Sequence, residues 1–153
     1  DSSDFTDINI GAKVNLWGND GGCTAFSVSP YVTIPNSSAP VTGGAALSFA
    51  VRLPAQFYLK FGVDPYAFAN RNNDAKFGIE DSVSLHKMFG EKLDAYAYLD
   101  TDWRDGASDW SGMSGFGAGY LVTPGFELFA SMGFGLTSNS YDYNPRFGIA
   151  FRF

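Results

Sequence analysis

The chain has 153 residues, a length that suits one domain over 1–153. Charged residues are only 17%, aromatics also reach 17%, and the net charge is −6, so no basic patch exists to replace phosphate counterions and nucleic acid is excluded as a partner. No run of about 18 apolar residues occurs, which excludes a spanning helix, and the lone Cys23 excludes an internal disulfide.

Apolar and polar residues alternate along almost the whole chain, the pattern of strands with two unlike faces. Residues 5–17 put Ile8, Ile10, Ala12, Val14 and Leu16 on one face and Asn9, Gly11, Lys13 and Asn15 on the other. Gly18–Gly22 supplies a tight reversal. The second strand, 24–34, carries Phe26, Val28, Val32 and Ile34 against Ser27, Ser29, Tyr31 and Thr33. Pro30 removes a ladder donor there, so a bulge or weak pairing is expected. After a polar loop at 35–44, strands follow at 45–53 and 57–67, then a second loop at 68–74. The fifth and sixth strands, 76–87 and 93–103, flank a turn at 88–92. A polar loop at 104–109 leads to strands 110–122 and 126–137, then a loop at 138–144 and a final strand. The seventh strand has a Gly stripe at Gly115, Gly117 and Gly119, expected to leave room beside it or mark a bend.

The final ten residues, NPRFGIAFRF, set Phe147, Ile149, Phe151 and Phe153 against Arg146, Gly148, Ala150 and Arg152. An exposed apolar edge invites aggregation in water, whereas lipid covers it in a membrane barrel. Phe147, Gly148, Phe151 and Phe153 also resemble the C-terminal signature by which bacterial outer-membrane barrels are recognised for insertion. Most strands run past the ~9–11 residues that cross a hydrocarbon layer, and short and long connections alternate. Trp17, Phe57, Trp103, Trp110, Tyr120 and Phe126 gather at strand ends, as in an interfacial girdle. The reading is an all-β, antiparallel transmembrane barrel of about nine visible strands. An odd count suggests a missing N-terminal strand, or one borrowed from another copy. Any secretion signal is expected to be already gone.

Two stretches carry a family resemblance. DINIGAKVNLWGNDGG followed by TAFSVSPYVTIP, through Asp7, Gly11, Lys13, Leu16, Pro30, Tyr31, Val32 and Pro35, resembles the outer-membrane family named "putative MetA-pathway of phenol degradation". LVTPGFELFASMGFGLT and NPRFGIAFRF resemble its last hairpin. The resemblance implies a transporter-like barrel of Gram-negative bacteria taking up aromatic or other hydrophobic compounds, matched here by its C-terminal portion. It also implies outer-membrane lipid and the barrel-assembly machinery as partners.

The polar face defines the candidate lumen: Lys13, Tyr31, Arg52, Tyr58, Lys60, Asp64, Tyr66, Lys76, Glu80, His86, Asp94, Tyr96, Tyr98, Asp100, Asp102, Glu127, Arg146 and Arg152. Charge rings of both signs bias which solutes pass, and Tyr58, Tyr66, Tyr96 and Tyr98 offer stacking surfaces. Such charges also serve simply to pair one another. Ser84 and His86, with Glu80 on the same face, invite a hydrolase reading. Glu80 and Ser84 stand four apart, too far for direct contact, and no Gly-x-Ser-x-Gly turn occurs, so no enzyme is expected. Asp100–Asp109 departs from calcium-loop spacing, because Arg104 takes a ligand position, and one histidine makes no multi-His site; no metal or cofactor is expected. The expected function is passage of small solutes across the outer membrane. The alternatives are a non-conducting structural barrel, and a soluble barrel whose Phe/Leu/Ile face turns inward around an apolar ligand.

Overall fold

The computed structural model describes residues 8–18, 22–35, 41–69, 74–107 and 109–151. The readings on Asp7, Arg152 and Phe153 lie outside the described residues. One antiparallel sheet contains β1 (Ile8–Gly11), β2 (Val14–Trp17), β3 (Thr24–Ile34), β4 (Thr42–Leu53), β5 (Phe57–Ala69), β6 (Ala75–Phe89), β7 (Leu93–Arg104), β8 (Ser111–Thr123), β9 (Phe126–Gly135) and β10 (Tyr143–Phe151). β1 and β2 both pair with β3, and every later strand pairs with the one before it. Since β1 and β2 share one line against β3, the sheet has nine strand positions, curled into part of a barrel wall.

The break between β1 and β2 has a local cause. Gly11 pairs with Tyr31 and Val14 with Val28, so the interruption at Ala12–Lys13 falls opposite Pro30. The Ala12 amide still donates to the Pro30 carbonyl at 3.1 Å, but proline returns no N–H. The β3–β4 ladder runs through Pro30 and Ala45 without a register shift. The weak pairing expected at Pro30 is therefore confined to the β1/β2 side.

Several strands outrun the expected bounds. Gly43 and Gly44, read as loop, pair with Val32 and Tyr31 and extend β4 back to Thr42. β6 continues to Phe89, leaving 90–92 as the turn, while β9 stops at Gly135. The three-residue turn Pro54–Gln56 holds Ala55 and Gln56 at φ 58° and 64°, a left-handed pair that β4 and β5 clamp from either side.

Among the described residues, the Phe/Leu/Ile face has no protein against it. Phe147 is 81% exposed, Ile10 62% and Phe116 59%, and no large side chain among the described residues is fully buried. Each large apolar side chain left in water forgoes roughly 1.5–3 kcal/mol, so this face requires an apolar neighbour. The buried side chains, Ser27, Tyr66 and His86, all lie on the polar face. Curvature runs the same way. Glu80 on β6 and Arg146 on β10, four positions apart along the sheet, line one cavity on the polar side. A flat sheet would hold those strands about 19 Å apart, so the sheet bends toward its polar side. The inward-turned apolar face of a soluble barrel is thereby corrected: that face is convex, because the polar side chains close on one another.

Candidate functional site

Register fixes which side chains share the concave face. Arg52, Tyr58, His86 and Tyr96 form one cross-strand row, which continues through Gly117 and Ser131 to Arg146. Lys60, Ser84 and Tyr98 form the next row toward the long loops. Asp64, Glu80 and Asp102 form another, and Tyr31 and Tyr66 reach each other through Gly44. Asp94, Asp100, Lys76 and Glu127 keep the same alternation on their strands, while Lys13 sits in the β1–β2 break.

Four tyrosines are each registered against a glycine: Tyr31 with Gly44, Tyr66 with Gly78, Tyr96 with Gly117 and Tyr98 with Gly115. Their rings lie over these glycines so closely that a Cβ at any of the four would strike the ring. The Gly stripe thus leaves space, as expected; tyrosine rings fill it at Gly115 and Gly117, and the Glu127 side chain fills it at Gly119. One face of each ring is covered by backbone, so these tyrosines present at most their other face to a solute.

Toward the long loops, the concave face is acidic and tied together. The Tyr66 hydroxyl donates to Asp102 Oδ1 at 2.7 Å, and Arg104 Nε donates to Asp102 Oδ2 at 2.8 Å. The Arg104 guanidinium lies 5.9 Å from the Tyr66 ring centroid. Glu80, Asp100, Asp102, Arg104, Asp109 and Arg146 line a cavity of about 540 Å³ here. Lys76 pairs with Asp105 at 3.1 Å nearby.

Toward the short turns, the chemistry changes. His86 is buried and stacked on Tyr96, with ring centroids 5.0 Å apart. Its Nδ1 lies 2.8 Å from Asp94 Oδ2 and its Nε2 lies 3.0 Å from Ser84 Oγ. With the carboxylate accepting from Nδ1–H, Nε2 is left to accept from the Ser84 hydroxyl. Ser84 also borders a second cavity of about 370 Å³, together with Lys13, Asn15, Ser27, Lys60 and Ser82. Lys60 is the direct register partner of Ser84.

Sequence reasoning singled out Ser84 and His86 but tested Glu80 as the acid. The structure supplies Asp94 instead, from the neighbouring strand. The available signal was the β6–β7 hairpin: with Phe89 opposite Leu93, Asp94 falls one row from His86. Phe68 and Phe129 also lie on the concave face, Phe129 over Gly148, although they are apolar.

Within the described strands, two charged side chains lie on the convex face. Lys87 sits between Phe57 and Ala95, and its Nζ turns back to donate to the Ala55 carbonyl, 4.5 Å from the Phe57 ring centroid. That is a lysine reaching past an apolar band to a polar rim. Asp81 lies between Val63 and Thr101, one row inside Trp103.

A family model with the description "Putative MetA-pathway of phenol degradation" matches residues 1–153. No curated protein and no solved structure matches the chain.

Proposed function

The chain belongs to the phenol-degradation family so described, and on that premise we propose that it forms an outer-membrane barrel wall along which small solutes, aromatic ones among them, pass. The observation that carries this reading is the division of the sheet. Charges, tyrosines and hydroxyls gather on the concave side, while the convex side bares its large apolar residues. Lipid supplies the apolar neighbour that the convex face requires, and water fills the concave side.

The dimensions support it. From Ile79, opposite Trp103, to Phe89 the apolar face of β6 covers ten residue steps. That is about 33 Å along the strand, or about 25 Å in height at the ~40° tilt usual in such barrels. Trp103 marks the long-loop rim and Phe89, with Tyr120 beside Leu93, marks the short-turn rim. The wall would be completed by further strands or another copy, and inserted by the barrel-assembly machinery. Transport of this kind needs no bound cofactor.

Steady single-channel current from the purified protein in a planar bilayer tests the proposal. The acidic long-loop cavity predicts that cations carry most of that current. A second reading, a closed structural barrel, draws on the Tyr66–Asp102–Arg104 cluster and the Lys76–Asp105 pair, which spend their charges on each other. It predicts insertion without current.

A further inference from the structure

We propose that Ser84, His86 and Asp94 form a nucleophilic triad that hydrolyses small carboxylic esters on the concave face. The reading goes beyond transport, and it reopens the expectation of no catalysis, which rested on Glu80 as the acid and on the absence of a Gly-x-Ser-x-Gly turn. Three features of the geometry carry it. A serine hydroxyl, an imidazole and a carboxylate are linked in that order at 3.0 and 2.8 Å, within the reach a nucleophile, its base and an orienting acid need. The imidazole is fixed by burial and by stacking on Tyr96. The nucleophile, in contrast, opens onto the cavity of about 370 Å³, room for a small ester. A histidine that only filled space would need its Asp94 partner but not a second contact with a cavity-lining hydroxyl.

The same cavity contains a candidate for stabilising charge. Lys60 stands directly across the ladder from Ser84, and register partners have Cβ atoms about 4.5–5.5 Å apart. Lys60 and Asn15 both line the cavity that Ser84 borders, and an ammonium or amide aimed into it would stabilise the carbonyl oxygen as it becomes negative. Ser84 Oγ attacks the ester carbonyl carbon while its proton moves to His86 Nε2. The carbon–oxygen bond to the alcohol then breaks, and the imidazolium returns the proton to the departing oxygen. Water, deprotonated by Nε2, adds to the carbonyl carbon of the Ser84 ester; the bond from that carbon to Oγ breaks, the imidazolium returns the proton to Oγ, and the carboxylic acid leaves. Ser84 and His86 are the catalytic residues. Asp94 and Tyr96 are positioning residues.

The test uses the full chain folded in detergent micelles, with p-nitrophenyl acetate as substrate and a fluorophosphonate as covalent label. The label should map to Ser84. Ser84→Ala should abolish it and lower hydrolysis by about a thousandfold. Ser29→Ala, on the same face but outside that cavity, should keep both activities. Asp94→Asn should lower kcat with KM unchanged, and Asp94→Glu should recover part of it. Because the labelling site is read on the unmutated protein, a variant that fails to fold does not blunt the test. Folded protein that takes no label at Ser84, or hydrolysis that survives Ser84→Ala, overturns the proposal. Either result is independent of whether the barrel conducts.

Discussion

Phe61 and Lys60 are neighbours in the chain, yet they live by different rules. Phe61 stands on the convex face beside Phe49 and Val83, 41% exposed, in a row where one large apolar side chain could replace another. Lys60 stands on the concave face beside Ser84, in a cavity where each group has a particular neighbour. The same contrast runs through the sheet. On the convex side the surrounding medium does the selecting, and apart from Asp81 and Lys87 it asks mainly for apolarity. On the concave side shape and hydrogen bonding do it: four tyrosines fit four glycines, and His86 has one partner on each nitrogen. Register is pinned from within, because slipping a strand that carries one of these pairs by one residue would put a ring where there is no gap.

Substitutions can break that contrast or sharpen it. Phe61→Arg should cost about 2–4 kcal/mol in a bilayer, since Phe61 lies in the middle rows of the convex face. Urea unfolding in liposomes measures this, and Phe61→Leu should lose far less. On the other face, Gly117→Val drives a branched side chain into the Tyr96 ring and should cost about 1–3 kcal/mol. Pairing it with Tyr96→Ala should return part of that loss in a double-mutant cycle, whereas Phe61→Arg has no such partner. Tyr66→Phe removes the hydroxyl that donates to Asp102 and should cost about 0.5–1.5 kcal/mol, read from the same unfolding curves. Pro30→Ala should have the smallest effect. It restores a donor opposite Ala12, so hydrogen exchange should slow at residues 12–14 while global stability changes by a few tenths of a kcal/mol.

The alternation of faces was legible in the chain, because a period of two needs no tertiary information. So were the nine strand positions, and the bounds of 24–34 match β3 residue for residue. What escaped depended on pairing. Gly43 and Gly44 have loop composition, and only the Tyr31 ring above Gly44 explains a glycine at that place in the ladder. Pro30 announced a defect but not its side, which follows from where its carbonyl points. Asp94 was placed on the correct face, yet its contact with His86 is diagonal across a hairpin. Moving the β6–β7 turn by one residue would have sent it elsewhere. Lys87 shows a further limit: alternation puts it among apolar side chains, and only its length lets the ammonium reach the Ala55 carbonyl.

The central claim is that hydrocarbon touches the convex face and water the concave one. Nitroxide labels on single cysteines test it most directly, in a Cys23→Ser background because Cys23 is exposed and free. Labels at positions 61 and 116 should be relaxed by oxygen dissolved in the bilayer and shielded from a water-soluble nickel complex. Labels at positions 82 and 98 should show the reverse. Nickel access at 61 and 116, with oxygen favoured at 82 and 98, would contradict the account.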